Sequence, residues 1–166
     1  MITSTMITSP KISSPMITWQ RRRFSDLTGL ELHQVLALRQ QVFILEQQCI
    51  YPDIDGRDPI ALHLLGVGGE KGLLAYARVL APGEVYSEPT VGRVAVMQDA
   101  RGSGVAKALM TEAHNLISDE FSSTTIRLNA QTYLKGFYEA LGYEVVSSPY
   151  DEDGIEHIEM LRKSQC

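Results

Sequence analysis

The stretch RVAVMQDARGSGVAKALM, Arg93–Met110, sets an arginine and two glycines between a β-branched run and an apolar-periodic segment. Arg101, Gly102 and Gly104 therefore fall where a helix begins. A helix start offers unpaired N–H groups and a partial positive charge. Glycine lets another group approach that backbone, and a phosphate is its natural occupant. Arg101 would add a forked positive charge. On these residues alone, a plain chain turn with Arg101 exposed explains the pattern equally well. A P-loop requires Gly-Lys-Ser/Thr, but Lys107 stands between Ala106 and Ala108. A dinucleotide fingerprint requires a small residue where Lys107 stands, and Gln98, Asp99 and Ala100 intrude between strand and turn. Asp53, Asp55 and Asp58 suggest a cation loop, yet counting from Asp53 the positions for glycine and glutamate hold Asp58 and Leu64. No metal is expected. The same loop could instead line an acceptor groove or simply be solvated. Cys49 has no histidine at a recognisable spacing and reads as a buried or half-buried thiol.

The elements that must carry these residues follow from periodicity. TWQRRRF fits a first strand, with Arg21, Arg22 and Arg23 solvated at its edge. Thr28 and Glu31 have capping-box spacing, and a helix is expected from about Gly29 to the region of Glu46, in one piece or two. Pro52, Gly56 and Pro59 mark a loop. ALHLLGVGG and LLAYARVLAPG read as two strands joined by a glycine-rich turn, and TVGRVAVM as another. Val105, Ala106, Leu109, Met110, Ala113, Leu116 and Ile117 mark a helix from about Gly102 to Ser118. TTIRLNA is a strand, YLKGFYEAL a short helix, and YEVVSS and IEHIEML two closing strands joined through Asp153-Gly154. Short links suggest antiparallel pairing, and the strand–helix–strand unit from Val91 to Asn129 suggests one parallel crossover. The fold class is α+β, a mixed sheet layered with helices.

The chain has 166 residues, 44% apolar and 21% charged, with a net charge of −5. One domain, residues 19–166, is expected after a tail at 1–18 built on a repeated Met-Ile-Thr. The acidic balance argues against a nucleic-acid partner. No apolar run nears the ~20 residues of a membrane span. The opening lacks the basic start and apolar stretch of a secretory signal, and a reducing cytoplasm is the expected compartment.

RGSGVA resembles the Q/R-x-x-G-x-G/A signature of the GCN5-related N-acetyltransferases, with Arg101, Gly104 and Ala106 at its specified positions. VGRVAV resembles that family's fourth strand, and FYEALGYE its Y-E-x-x-G-F/Y hallmark. LRQQVFILEQQCIYPDIDGRD, YARVL, NAQTYLKGFY and YDEDGIEHIEM extend the resemblance to the ElaA-type subgroup, from about Leu27 to Met160. The resemblance implies an α/β/α sandwich whose twisted mixed sheet of about seven strands parts between two parallel neighbours to admit coenzyme A.

It implies an acetyl-CoA-dependent N-acetyltransferase, an acyltransferase acting by direct attack in a ternary complex. Gly102, Ser103, Gly104, Val105 and Ala106, with Arg101, would hold the diphosphate. Val94, Ala95 and Val96 would offer main-chain groups to the pantetheine arm, and Gln131 its side-chain amide, where many relatives carry the shorter asparagine. Tyr138 stands where that family places the acid that protonates the departing thiolate. VGRVAV lacks the glutamate that some relatives use as base. Glu46 is then the first candidate base, with His63 and His157 as alternatives. The acceptor would be a primary amine of a small molecule or peptide, and an exposed strand edge would permit a homodimer. A coenzyme A-binding sensor without catalysis and a plain interaction module are the competing readings.

Overall fold

The β-branched and alternating runs pair into one sheet in the computed structural model, which describes residues 16–163. The strands are β1 Thr18–Arg23, β2 Leu62–Val67, β3 Leu73–Leu80, β4 Thr90–Val96, β5 Ile126–Gln131, β6 Tyr143–Val145, β7 Tyr150–Glu152 and β8 Ile155–Arg162. Their spatial order is β1-β2-β3-β4-β5-β8-β6, with β7 also on β8. Every pairing is antiparallel except β4 with β5. The eighth strand arises because the expected run YEVVSS stops at Val145. Ser147 Oγ there takes the N–H of Glu159 in place of a backbone acceptor. Pro149, which has no N–H to give, follows, and pairing resumes at Tyr150. The Asp153-Gly154 turn therefore joins β7 to β8. Residues 1–15 of the expected tail lie outside the described residues, and β1 already begins at Thr18.

α1, Gly29–Arg39, starts with a complete capping box: Glu31 N–H donates to Thr28 Oγ1, and Thr28 N–H to Glu31 Oε2. It continues as a wider π-helical stretch, Gln40–Glu46. Val35, Leu38 and Val42 pack on Leu65, Leu73, Tyr76 and Ala95 from one face of the sheet. α2, Val105–Phe121, lies on the other face. Its buried Val105, Leu109, Met110, Ala113, Leu116 and Ile117 recur at helical spacing. Full burial of a side chain such as Leu109 or Ile117 contributes about 1.5–3 kcal/mol. Gly104 before it and Ser122 after it are both left-handed, which ends the helix at each side. α3, Lys135–Glu139, buries Tyr138 in the same core. Among the described residues no helix is long and apolar enough to cross a membrane.

β4 carries the irregularity that shapes the site. It pairs β3 through Arg78↔Gly92 and then Tyr76↔Ala95, so Arg93 and Val94 stand opposite Ala77 alone. Arg93 is the extra residue of this bulge, at φ +51°. The bulge resets the alternation: Val91 and Val96 both join the α2-side core, while Ala95 joins the α1 side. β4 meets β5 only at Thr90↔Arg127, supported by Arg127 N–H to Pro89 O at 3.1 Å. Beyond that pair the two parallel strands form no ladder, which opens a gap between the end of β4 and the end of β5.

Candidate active site

The head of α2 stands beside that gap. Gly102 and Gly104 take φ of +77° and +83°, a region that costs other residues roughly 1–2 kcal/mol. Their conformation turns the chain from Ala100 into α2. A Cβ on either would meet nothing within 4 Å, so the space over the loop is open. Among the described residues, none of the N–H groups from Gly102 to Ala106 makes a well-formed hydrogen bond to a protein acceptor. The first donation in this stretch is Ala108 N–H to Gly104 O. Ser103 Oγ donates to Ala100 O and pins the turn, and Val105 buries its side chain in the core. These donors and the open space suit a diphosphate.

Met97 N–H donates to Leu74 O. By the alternation of an antiparallel ladder, Ala95 then turns its main chain to β3, and Val94 and Val96 turn theirs to the gap. The grouping of Ala95 with Val94 and Val96 is thus corrected: Ala95 is committed to Tyr76. Arg101 does not project its fork into the loop. Its Nε donates to Val96 O at 2.9 Å and its Nη2 to Glu46 Oε2 at 2.7 Å. Arg101 thereby fastens the end of β4 to the end of the π-helical stretch.

Behind the bulge lies an ion-pair lattice that sequence spacing did not reveal. Arg39 donates to Asp53 and Asp58, each at 2.8 Å, and Arg78 to both oxygens of Asp55 at 2.7 Å and to Asp58 at 2.9 Å. Arg93 Nη2 donates to Asp53 O and Asp55 Oδ2, while its Nε lies 2.7 Å from Asp53 Oδ1 at an angle that makes an ion pair and no hydrogen bond. Asp53 and Asp58 are buried, so the loop is neither a solvated turn nor a set of free carboxylates for an amine. Burial acts most strongly, to raise the Asp55 and Asp58 carboxyls, but the bonds and charges of Arg78 together with those of Arg57 and Arg93 at Asp55, and of Arg39 at Asp58, outweigh it and hold both below the usual range. Gly92 inside a strand pattern was the local signal for a bulge.

Tyr138 is buried, edge-on to Phe137 and Tyr143, in the cluster that Val94 and Ala106 flank. Its hydroxyl meets no hydrogen-bond partner among the described residues, and burial pushes its pKa up to about 12, with Tyr133 adding to the effect. Gln131 ends β5 and exchanges two amide bonds with Gln47, at 3.0 and 3.3 Å. That pair spans from the residue after the π-helical stretch to the far side of the gap.

Two expected bases do not fit. Glu46 is bound to Arg101 at the rim of the loop. His63 is fully buried in β2, with Nδ1 on Tyr76 Oη at 2.8 Å and Nε2 on Asp58 O at 3.0 Å, and burial lowers its pKa. Neither ring nitrogen is free to take a proton. His157 sits on β8 directly opposite Gln131.

A family model described as an acetyltransferase (GNAT) domain matches residues 68–164. Protein ElaA of Escherichia coli is 37% identical over 150 residues, 89% of this chain and 97% of the relative. A UPF0039 protein of Synechocystis is 39% identical over 145 residues, 87% of this chain and 94% of the relative. The crystal structure of E. coli ElaA superposes with a TM-score of 0.82, covering 89% of this chain and all of that one. An acyl-CoA N-acyltransferase from Pseudomonas aeruginosa, 36% identical, superposes at 0.83 and covers 89% and 99%.

Proposed function

The chain belongs to the GNAT acetyltransferase family, and from that premise we propose that it moves an acetyl group from acetyl-CoA to a primary amine of a small molecule or peptide. The observation that carries the reading is the row of open N–H groups from Gly102 to Ala106 beside the gap between β4 and β5. The N-acyltransferase activity in the name of the P. aeruginosa relative agrees with it.

The diphosphate rests on those N–H groups, and the helix dipole adds about 0.3–1 kcal/mol to the hold. The pantetheine arm lies against Val94 and Val96 as an added strand. One of their N–H groups polarises the thioester oxygen. The neutral amine attacks the carbonyl carbon, and the C–S bond breaks. The Tyr138 O–H gives its proton to the sulfur and is restored by the proton that the new amide nitrogen sheds. Burial keeps Tyr138 protonated throughout the neutral range, as an acid must be. In water the transfer from a tyrosine to a thiolate is uphill by about 1.5 pKa units, roughly 2 kcal/mol, and burial of Tyr138 adds to it. The same desolvation raises the thiolate, which narrows that difference.

Two measurements test the proposal. Calorimetric titration with acetyl-CoA should show one site per chain. Thiol release with phenethylamine, lysine, glycinamide and a peptide with a free N-terminus should then exceed hydrolysis for at least one amine. Absence of acetyl-CoA binding would remove the reading altogether.

A further inference from the structure

We infer that His157 is the base that takes the acceptor amine's proton; this rests on the transfer proposed above. His157 and Gln131 form a directly opposed antiparallel pair, so their side chains share one face with Cβ atoms about 4.5–5.5 Å apart. Gln131 ends β5 at the gap, and α3 with Tyr138 begins a few residues later. The imidazole thus stands one strand away from the end of the cleft where thioester and acid are expected to meet.

The ring is set up for one task. Nδ1 lies 2.8 Å from Ile155 O, and a carbonyl only accepts, so Nδ1 carries the hydrogen. In the neutral ring the lone pair is then on Nε2, which has no partner among the described residues. The side chain keeps 14% of its surface open, enough for contact with a ligand. Tyr150 stacks on the ring at 6.3 Å, and the Glu152 carboxylate lies 3.8 Å from Nδ1. Glu152 and Tyr150 of β7 are the titratable groups that face the ring. Glu159 of β8 and Tyr86 stand close enough to act on Tyr150, which burial first of all pushes up to about 12 and so keeps uncharged. β5 contributes the neutral amide of Gln131. Gln131 is tied to Gln47, and Cys49 Sγ lies 3.3 Å from Asp153 O. The loop after α1 is thereby anchored to β5 and to the β7–β8 turn.

The step balances. An alkyl ammonium gives one proton to His157 Nε2 and becomes the neutral nucleophile. Its lone pair forms the C–N bond, the C–S bond breaks, and sulfur takes the Tyr138 proton. The amide nitrogen's remaining surplus proton returns to Tyr138, and His157 releases its own to water.

The test compares wild type with His157→Gln across pH, using the fastest amine of the panel named above. Near pH 7 the variant should lose roughly 100-fold in kcat/KM. Near pH 10 about a third to a half of an alkyl amine is already neutral, and the gap between the two proteins should narrow markedly. Acetyl-CoA affinity should be unchanged, which also shows that the variant is folded. Added imidazole should partly restore His157→Ala. An equal loss at both pH values, no loss at all, or an Ala variant that imidazole leaves unchanged would overturn the assignment. If the wild type binds acetyl-CoA but releases thiol with no amine, the proposed transfer fails and His157's role with it. A wild type that turns over beside an indifferent variant overturns only this inference.

Discussion

Replacing Tyr138 with Phe removes one oxygen and tests the acid directly. The ring is buried against Phe137 and Tyr143, at centroid distances of 5.0 and 5.8 Å, and Phe keeps those contacts. The hydroxyl has no protein partner among the described residues, so no donor or acceptor is orphaned by its loss. Stability should therefore stay within about 1 kcal/mol of wild type, or rise slightly. Without a proton donor the thiolate must leave as an anion in a desolvated site. General acid catalysis typically contributes 10²–10⁴-fold, or about 3–5 kcal/mol of barrier. The turnover number should fall by that factor, while acetyl-CoA affinity by calorimetry and the melting temperature stay nearly constant. Because Tyr138 titrates only at about 12, it should add no alkaline limb to the wild-type profile below that pH. An unchanged turnover number in a folded, cofactor-binding Tyr138→Phe protein would refute the role.

Gly104→Ala keeps open space around the new Cβ but forces φ +83° on it, which should cost about 1 kcal/mol and weaken acetyl-CoA binding about fivefold by calorimetry. Arg93→Ala removes the ion pairs to Asp53 and Asp55 and leaves the left-handed φ in place, whereas Arg93→Gly removes the pairs but suits the φ. Both should melt below wild type, with Ala lower by about 1 kcal/mol. Asp55 and Asp58 are held below their ordinary pKa, so the folded state binds fewer protons than the unfolded chain. Their contribution is present above the usual carboxylate range and lost as pH falls through it and below, which an acid titration by circular dichroism should show. Burial, then Arg162, lowers His114 to about 4. Its contribution is full above about 6.5 and fades as pH drops toward 4, so His114→Gln should flatten the melting temperature across that window.

Local rules made much of this molecule legible before any coordinates. Thr28 and Glu31 announced a cap, six apolar residues of α2 kept helical spacing, and RGSGVA marked the helix start that stands open at the gap. These signals lie within one or two turns of chain, where spacing determines geometry. The lattice of Arg39, Arg78 and Arg93 with Asp53, Asp55 and Asp58 joins residues up to 40 positions apart, and no local pattern encodes such partners. Glu46 and His63 were sensible candidates by residue type. What removed them was tertiary: an arginine from across the site for one, and burial with both nitrogens occupied for the other. The division of YEVVSS also depended on its neighbour, because Ser147 serves the β8 backbone from within the run.

The extra residue in β4 sets a rule about length. Val91 and Val96 share a side of the sheet only because Arg93 intervenes. Straightening the bulge with every residue kept would turn Val96 toward α1 and swing the gap-facing peptide groups back toward β3. Replacements in this segment change its fit; a codon gained would turn the end of the strand inside out, and a codon lost would erase the bulge together with the left-handed residue that makes it. Among functional members of the lineage the interval from Val91 to Val96 should drift in spelling while its count of residues stays constant.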